Sequence, residues 1–396
     1  MSITTAPNMP HLWLRSEKKA MEHRCALTPS HARALLAAEF QITVERSPAR
    51  IFDDAEYAAL GCPLVDEHSW QTDAPKDAII LGLKEFPDED SFALSHRHIL
   101  FAHCYKHQDG WQNVLDRFQR GNGTLYDLEF LNDPDSGRRV AAFGFQAGFA
   151  GAAVGLDVWA SKTEEEATNF PAIHAYPNED LLLTHIRARL AATGRDLPRV
   201  LVMGALGRCG RGAVAFLTKA GIPLENITQW DIAETRIGGP FPTIANDHDI
   251  FINCIYLTTK IPPFLTQAHL DAPERRLTTV VDVSCDPNSP NNPLPFYNVH
   301  STFASPTVRV PAEGGAVHVV AIDHLPSLLP RESSEKFVED LMPSLRALKV
   351  VDAELRGYEA EGVSDEDVHM AKVWRDAEVL FHSKLAELDA DRAAQA

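Results

Sequence analysis

The chain has 396 residues, of which 45% are hydrophobic and 23% charged, as is typical of a globular protein long enough for two domains. Its formal net charge of -18 argues against partners with a phosphate surface, so we expect neither nucleic-acid nor membrane binding. The six cysteines lack zinc-site spacing, and no segment has the pattern of a signal peptide or a transmembrane helix. We therefore expect a cytoplasmic protein without a metal site.

Short apolar runs alternate with helical segments along the first part of the chain, which predicts an α/β domain. Strands are predicted at 11–15 and 41–45, with a helix between them that opens at Thr28. Two further strands are predicted at 78–83 and 98–102, and polar residues follow each of them directly.

These polar residues are the first candidates for chemistry. Lys84 and Glu85 follow the first of the two strands, His103 and Lys106 follow the second, and Glu129 lies in a third strand-like run. Ligands of open α/β sheets bind beyond the carboxyl ends of the strands. A solvated turn residue is the plainer interpretation of any one of them, but their recurrence on one side of a sheet favours a site.

Segment 140–159 is rich in alanine and glycine, and it predicts a long, closely packed helix that crosses between domains. Arg138 and Arg139 precede it, and a solvated charge pair is their plainer interpretation. A helix at 181–192 then leads into the most distinctive stretch of the chain.

That stretch predicts a dinucleotide site. The apolar run 200–203 precedes Gly204, Gly207 and Gly210, and Asp231 follows the next short apolar run. Glycines let the backbone turn tightly and approach a pyrophosphate at a helix N-terminus, while the acid accepts the ribose hydroxyls. The spacing is GxxGxxG rather than the commoner GxGxxG, so a glycine-rich turn without a ligand stays open as the alternative.

The strand pattern repeats beyond this site, at 249–254, 277–283 and 318–322. Two amphipathic helices are predicted near the end of the chain, at 334–348 and 365–388. We expect these helices to return and cover the first domain. The second one opens with Ser364 and Asp367, a pair close to a capping box.

These patterns predict two doubly wound Rossmann-like domains with the active site in the cleft between them. A nucleotide, a base near neutral pH and several cations suggest hydride transfer on an acidic, amine-bearing substrate, whose carboxylates arginine binds bidentately. Lysine is a base at pH 7 only if burial or a cationic neighbour lowers its pKa. We expect both effects to lower the pKa of Lys84, and we expect the negative charge of Glu85 to reduce this shift.

Seven runs carry a family resemblance: 22–29 (EHRCALTP), 82–85 (GLKE), 101–106 (FAHCYK), 124–131 (TLYDLEFL), 137–145 (GRRVAAFGF), 204–210 (GALGRCG) and 322–332 (IDHLPSLLPRE). They resemble the NAD-dependent, L-lysine-forming saccharopine dehydrogenases, a family that belongs with alanine dehydrogenase and the transhydrogenase nucleotide domain. The resemblance extends from about His11 to about Leu345 without a large gap.

The resemblance implies a reaction and a set of site residues. NAD oxidises saccharopine, and the imine is hydrolysed to lysine and 2-oxoglutarate, reversibly, in the last step of lysine biosynthesis. Lys84 matches the base that takes the amine proton and His103 the acid–base group of imine hydrolysis, with Glu85 and Glu129 tuning both. The implied substrate contacts are Arg24, Lys106, Arg139, Phe143, Ser284 and Asp286. The implied NAD contacts are Arg138, Gly207, Arg208, Asp231, Thr235, Tyr256, Val283, Ile322, Asp323, His324 and Leu325.

The resemblance also implies a domain plan, with a substrate domain at 1–138 and 331–396, an NAD domain at 139–330, and a monomeric protein. Cys209 and Cys254 match a family pair close enough for a disulfide, although a reducing compartment favours two free thiols.

Two other functions stay open. One is an alanine dehydrogenase-like enzyme, whose small substrate needs fewer carboxylate-binding cations. The other is a nucleotide-sensing regulator without turnover, which we would expect to have lost Lys84 or His103.

Overall fold

The chain forms two compact units in a computed structural model that describes residues 9–19, 21–87, 89–161, 163–285 and 287–395. The first unit combines Met1–Ala142 with Ser333–Ala396, and the second is Phe143–Glu332. The predicted domain limits, after residues 138 and 330, lie close to these boundaries. Which ligand belongs to which unit stays a prediction.

The first unit opens with alternating strands and helices. They are β1 (His11–Leu14), α1 (Pro29–Ala37), β2 (Gln41–Glu45), α2 (Asp54–Ala58), β3 (Leu64–Val65), α3 (Trp70–Asp73), β4 (Ile79–Leu81), β5 (Arg97–Leu100), α4 (Trp111–Gly121) and β6 (Thr124–Asp127). The strands pair in parallel in the order β3-β2-β1-β4-β5-β6. This is the order of a doubly wound Rossmann sheet, as predicted.

β1 lies in the middle of this sheet and defines its topological switch point. Leu12 pairs with Ile42 of β2 on one side and with Ile79 of β4 on the other. All three residues of β4 are fully buried, because a parallel sheet is covered on both faces. Open α/β sheets bind ligands at the carboxyl end of such a switch point, here between β1 and β4.

The second unit contains a second sheet of the same kind. Its elements are α5 (Gly144–Trp159), α6 (Glu164–Thr168), α7 (Glu179–Thr193), β7 (Val200–Met203), α8 (Arg208–Ala220), β8 (Ile227–Trp230), α9 (Ile232–Thr235), α10 (Pro242–Asp247), β9 (Ile250–Asn253), α11 (Gln267–Leu270), β10 (Thr279–Asp282), β11 (Val308–Val310) and β12 (Val317–Val320). The order is β11-β12-β10-β9-β7-β8, with β11 antiparallel to its neighbour and the other pairs parallel. The switch point here lies between β7 and β9.

Small residues bring α5 and α8 into close contact within the second unit. A Cβ atom added at Gly148 would lie 1.8 Å from the carbonyl oxygen of Cys209, and one at Gly212 would lie 1.9 Å from that of Phe145. The glycine- and alanine-rich composition of the segment therefore serves this packing, and the helix begins at Gly144 rather than at the predicted residue 140.

α12 (Pro330–Arg356) extends well beyond the predicted helix at 334–348. Tertiary contacts stabilise the extra turns, because Val351 is buried and Asp352 accepts hydrogen bonds or ion pairs from Arg97 at 2.7 Å and from Arg356 at 2.8 Å. Although this helix is long, no helix in the described ranges combines the length and apolar character needed to cross a membrane.

α13 (Asp365–Gln395) begins at the predicted capping box. Ser364 N–H donates to Asp367 at 2.9 Å, and Asp367 N–H donates to Ser364 Oγ at 3.1 Å. Trp374 donates from Nε1 to the carbonyl of Ser344 in α12 at 2.6 Å, and its ring lies 5.2 Å from that of Tyr126 in β6. The two helices thus cover the first sheet, as predicted.

All six cysteines are free thiols. Cys209 and Cys254 are both partly buried, and burial raises the pKa of each thiol above its usual value. They therefore form the pair of free thiols that the sequence favoured.

His98 is a buried ionisable side chain in the middle of β5. Its ring lies 5.1 Å from Trp70, 5.5 Å from Phe86 and 5.4 Å from Phe118 between ring centres. Neither ring nitrogen has a hydrogen-bond partner among the described residues. Burial, assisted by the nearby charge of His96, lowers the pKa of His98 well below its usual value. The folded protein therefore keeps this ring neutral where the unfolded chain binds a proton.

We predict that His98→Leu makes the protein less sensitive to acid. The unfolded histidine has a pKa of about 6.5, so the wild type loses stability as the pH falls below that value, by about 1 kcal/mol at a pH of about 5.5. Urea unfolding near neutral pH and near pH ~5.5 should show a smaller drop for the variant by about that amount. His382→Leu, the same change at an exposed histidine, is the control. Equal drops for wild type and His98→Leu would contradict the prediction.

Candidate active site

Lys84 and His103 emerge at the same edge of the first sheet because they follow the neighbouring parallel strands β4 and β5. Glu85 lies beside His103: its Oε2 atom is 3.6 Å from Nε2 of His103, and its Oε1 atom accepts a hydrogen bond from Lys19. His103 has a φ of 51°, in the left-handed region that residues other than glycine rarely adopt. Such backbone strain is concentrated at functional sites.

The environment of Lys84 lowers the pKa of its amine. Partial burial lowers the pKa of Lys84, and the positive charges of Arg24 and Lys19 lower it further. Glu85 and Glu22 oppose this shift but do not cancel it. The pKa therefore lies below the usual lysine value, as predicted, and the amine is more available as a proton acceptor near neutral pH.

The surroundings of His103 and Glu85 lower the pKa of both side chains. Burial lowers the pKa of His103, with Lys84 acting in the same direction and Glu85 against it, although 44% of the His103 side chain is exposed. Burial alone would raise the pKa of Glu85, but the hydrogen bond from Lys19 and the charge of Lys84 outweigh it, so this pKa is lowered. A neutral imidazole beside a carboxylate can accept a proton and return it.

Glu129 gathers two of the predicted substrate cations. Its Oε1 atom accepts a hydrogen bond from Nζ of Lys106 at 2.7 Å and another from Nη2 of Arg139 at 3.2 Å. Burial would raise the pKa of Glu129, but the hydrogen bond from Lys106 and the charges of Lys106 and Arg139 lower it. An ionised Glu129 therefore orients two cations at the same sheet edge as His103.

Arg24 is buried and forms a bidentate ion pair with Glu22, from Nε to Oε1 at 2.8 Å and from Nη2 to Oε2 at 2.7 Å. Burial raises the pKa of Glu22, but Arg24 more than offsets this, and the pKa is lowered. Arginine binds carboxylates bidentately, which is the chemistry that the predicted substrate contact of Arg24 requires.

Asp127 is a residue to which the sequence assigned no role. It ends β6 and is buried, with Oδ1 accepting the N–H of Glu129 at 2.9 Å and Oδ2 accepting that of Ala102 at 3.4 Å. Burial raises the pKa of Asp127 to about 7. Asp127 thus links the loop that carries His103 to the loop that carries Glu129. An acid as the last residue of an otherwise apolar strand is the sequence signal that could have marked it.

The glycine turn of the second unit has the geometry of an anion-binding turn. Gly204 has a φ of 82°, and a Cβ atom at Gly210 would lie 2.2 Å from the carbonyl oxygen of Gly204. Gly207 is the N-cap of α8, whose first turn has no side-chain cap. Unsatisfied N–H groups at a helix N-terminus bind the phosphates of dinucleotides.

Asp231 is held beside this turn. It is the N-cap of α9, and it accepts the N–H of Leu206 at Oδ2 (3.0 Å) and the N–H of Ile232 at Oδ1 (2.8 Å). Thr235 donates from its hydroxyl to the carbonyl of Asp231 at 2.9 Å. A carboxylate has about four acceptor sites, so sites remain for ribose hydroxyls.

Exposed apolar side chains accompany the turn and the acid. Leu206 is 72% exposed, Ile232 77% and Tyr256 66%. Apolar and aromatic side chains line most cofactor sites. The family resemblance implied Tyr256 but neither Leu206 nor Ile232. An apolar residue inside the glycine turn is the sequence signal for Leu206, and an apolar residue directly after the strand-end acid is the signal for Ile232.

The remaining predicted residues fall in both units. Ser284 donates a hydrogen bond from Oγ to Asp282 at 2.6 Å and accepts one from Asn253 at 3.0 Å. Ile322 and Leu325 are buried in the core of the second unit. The first unit carries Arg24, Lys84, Glu85, His103, Lys106, Glu129, Arg138 and Arg139. The second unit carries Phe143, Gly207, Arg208, Asp231, Thr235, Tyr256, Val283, Ser284, Ile322, Asp323, His324 and Leu325. Asp286 lies outside the described residues. Within those residues, no group of three His, Cys, Asp or Glu side chains could hold a metal ion.

Known proteins share this fold. The family model described as "Alanine dehydrogenase/PNT, N-terminal domain" matches residues 13–150. A solved structure of L-alanine dehydrogenase matches with a TM-score of 0.60 over 93% of this chain and 99% of that chain, at 15% sequence identity. The fold is therefore that of the L-alanine dehydrogenase structure, and the first part of the chain matches the N-terminal domain of the alanine dehydrogenase and transhydrogenase class.

Sequence relatives with known names identify the family of this chain. The saccharopine dehydrogenase [NAD(+), L-lysine-forming] of Schizosaccharomyces pombe is 56% identical over 349 residues, which are 87% of this chain and 94% of that protein. The protein of the same name from Neurospora crassa is 53% identical over 389 residues, 97% of this chain and 98% of that protein. The chain belongs to the saccharopine dehydrogenase [NAD(+), L-lysine-forming] family.

Proposed function

We propose that the chain oxidises saccharopine with NAD+ and releases L-lysine and 2-oxoglutarate, in a reversible reaction at the end of lysine biosynthesis. The observation that carries the proposal is the placement of Lys84 and His103, two acid–base groups with lowered pKa values, at one sheet edge among several cations. The family membership supports the same reaction.

Lys84 and His103 divide the proton transfers. Oxidation takes a hydride from the glutarate α-carbon and a proton from the bridging nitrogen, and neutral Lys84 accepts that proton as the imine forms. Water then adds to the imine carbon while His103 takes one of its protons. His103 then passes this proton to the nitrogen, and the hydroxyl proton follows it as the carbinolamine collapses. The C–N bond breaks, lysine leaves as the amine, and the new carbonyl belongs to 2-oxoglutarate. NAD+ supplies the hydride acceptor.

The cations of the first unit bind the carboxylates of saccharopine. Arg139 and Lys106 are oriented by Glu129, and Arg24 is oriented by Glu22. Arginine forms bidentate, charge-assisted hydrogen bonds with carboxylates. Phe143, Ser284 and Asp286 are the further substrate contacts that we propose from the family resemblance.

The second unit binds the dinucleotide. The uncapped first turn of α8 receives the pyrophosphate, and Asp231 accepts the ribose hydroxyls of the adenosine. We propose the further contacts from the family resemblance, namely Arg138, Gly207, Arg208, Thr235, Tyr256, Val283 and Ile322 to Leu325.

The two alternative functions are not favoured. The L-alanine dehydrogenase structure shares only 15% of its sequence with this chain, whereas relatives named saccharopine dehydrogenase share more than half. A regulator without turnover has no need of Lys84 and His103 with lowered pKa values. We also propose a cytoplasmic monomer, which cell fractionation and analytical ultracentrifugation would test.

We predict that Lys84→Met and His103→Gln each lower turnover by about two to four decades, because each removes a positioned acid–base group. NADH binding should persist in both. The double variant should lose much less turnover than the two single losses added together, since both groups act on the protons of one reaction. NADH absorbance with saccharopine and NAD+ measures turnover. Lys76→Met, at the opposite end of β4, is the control, and single variants with near-wild-type turnover would refute both roles.

Arg139→Ala should act on substrate affinity. Loss of a charge-assisted bond to a carboxylate costs about 1.5–3 kcal/mol, which is about one to two decades in the KM for saccharopine. Arg138→Ala is the matched variant, and it should weaken NAD+ rather than saccharopine. If Arg139→Ala weakened NAD+ as much as saccharopine, the placement of Arg139 at the substrate would be wrong.

NAD should be preferred over NADP, and Asp231→Asn should relax that preference. A 2′-phosphate meets the negative charge of Asp231, and asparagine removes the charge while keeping the N-cap. Titration of NADH and NADPH fluorescence should show the relative NADPH affinity rising about tenfold. Glu225→Gln, before β8 rather than after it, controls for a general change of charge. A wild type that binds both cofactors equally would count against the prediction.

A further inference from the structure

Arg15 and Glu17 form a buried ion pair that the proposed proton transfers do not use. Both residues follow β1, on the side where β4 is its neighbour. Nη2 of Arg15 lies 3.3 Å from Oε2 of Glu17, and the two side chains are only 3% and 7% exposed. The pair therefore lies at the topological switch point of the first sheet, beside the segment that carries Lys84.

Three hydrogen bonds join this pair to the backbone around Lys84. Glu17 accepts the N–H of Leu83 at Oε1 (2.7 Å) and the N–H of Lys84 at Oε2 (3.1 Å). Arg15 donates from Nη2 to the carbonyl oxygen of Lys84. The Lys84 residue is thus held at both its N–H and its C=O group, and the preceding peptide is held as well.

The Arg15 side chain lies across the turn that contains Lys84. A Cβ atom at residue 82 would lie 2.1 Å from Nε of Arg15, so glycine leaves the space that the guanidinium group occupies. On the far side of the turn, the guanidinium carbon lies 5.0 Å from the ring centre of Phe86. The turn and the ion pair are therefore packed together as one structure.

Stability alone is a weak reason for such a pair. Burial raises the pKa of Glu17, against the opposing effects of Arg15 and of the two backbone N–H groups. Buried ion pairs often contribute no more stability than apolar residues of the same size, because both charges lose their hydration. The polar pair does, however, fix the direction of three hydrogen bonds, which apolar residues cannot do.

We propose that the Arg15–Glu17 ion pair is a positioning device that fixes the backbone of Lys84 and thereby keeps its amine at the reacting nitrogen of the substrate. The proposal rests on the proposed function of Lys84 as the group that takes the amine proton. Arg15 and Glu17 are positioning residues, since their side chains act on the peptide backbone of Lys84 and not on the substrate.

Correct placement matters because the reactivity of Lys84 depends on its surroundings. Arg24 and Lys19 are the cations, and Glu22 and Glu85 the acids, whose charges act on its amine. An amine displaced by about 1 Å loses both this environment and its alignment with the substrate, and such a displacement can cost about 100-fold in rate.

Glu17→Gln tests the proposal, with Asp352→Asn as the matched control. Asp352 is also a buried acid of the first unit in an ion pair, but its partners are Arg97 and Arg356, and Arg97 lies at the amino end of β5. Both variants lose a buried charge, and thermal melting of each is used to check that it folds. We expect Glu17→Gln to lower turnover by about 10- to 100-fold with NADH affinity unchanged, whereas Asp352→Asn keeps wild-type turnover.

The pKa of Lys84 provides a second measurement that needs no turnover. The rate of Lys84 acylation at a series of pH values, read by mass spectrometry of the peptide, reports this pKa in each variant. Removal of a nearby negative charge by itself would lower the pKa of an amine. Release of the amine from its partly buried position would raise it, and a rise in Glu17→Gln is the result that we expect.

The outcomes separate the positioning role from the proposed function. In a Lys84→Met background, Glu17→Gln should cause no further loss of turnover, because it acts through Lys84. A further loss in that background, a lowered Lys84 pKa, or turnover equal to that of Asp352→Asn would overturn the positioning role while leaving the function intact. Wild-type turnover in Lys84→Met would instead overturn the proposed role of Lys84 and the positioning role with it.

Discussion

The parallel direction of the strands in the first sheet is the constraint on which the candidate site depends. Parallel strands have all their carboxyl ends at one edge, so the loops after β1, β4, β5 and β6 emerge together. Arg15 and Glu129 are far apart in the sequence, yet both lie in this group of loops. An antiparallel sheet of the same strands would send half of these residues to the opposite edge.

Charge compensation is what makes this group of loops compatible with burial. The chain is acidic as a whole, with a formal net charge of -18, but several of its cations are concentrated after these strands. Each cation has a carboxylate nearby: Arg24 has Glu22, Lys19 has Glu85, and Arg139 has Glu129. The pairs keep the acids ionised and leave the Lys84 amine as the group whose charge is disfavoured.

The second unit relies on backbone geometry rather than on charge. Its turn depends on glycine at residue 204 for a φ of 82° and on glycine at residue 210 for a close approach of two backbone segments. Asp231 both caps α9 and accepts the N–H of Leu206 within the turn. Asp231 thus stabilises both the turn and α9, and the ribose contact that we propose for it would use its remaining acceptor capacity.

The sequence by itself determined the α/β class, the nucleotide turn and the motifs after β4 and β5. Apolar runs and glycine spacing are local patterns, and local patterns determine local structure. The same reasoning predicted the capping box of α13, because Ser364 and Asp367 are close together in the chain. It also predicted the direction of the Lys84 pKa shift, although burial and the distant Arg24 and Lys19 cause that shift.

Only the tertiary structure decided which distant groups meet. It joined Glu17 to the backbone of Lys84, brought Asp127 between the loops of His103 and Glu129, and extended α12 beyond residue 348 through the contact of Asp352 with Arg97. It also enclosed His98 among aromatic rings. Hydrogen bonds and desolvation act through space over a few ångströms, so they depend on strand order and register, which no pattern within a single segment contains.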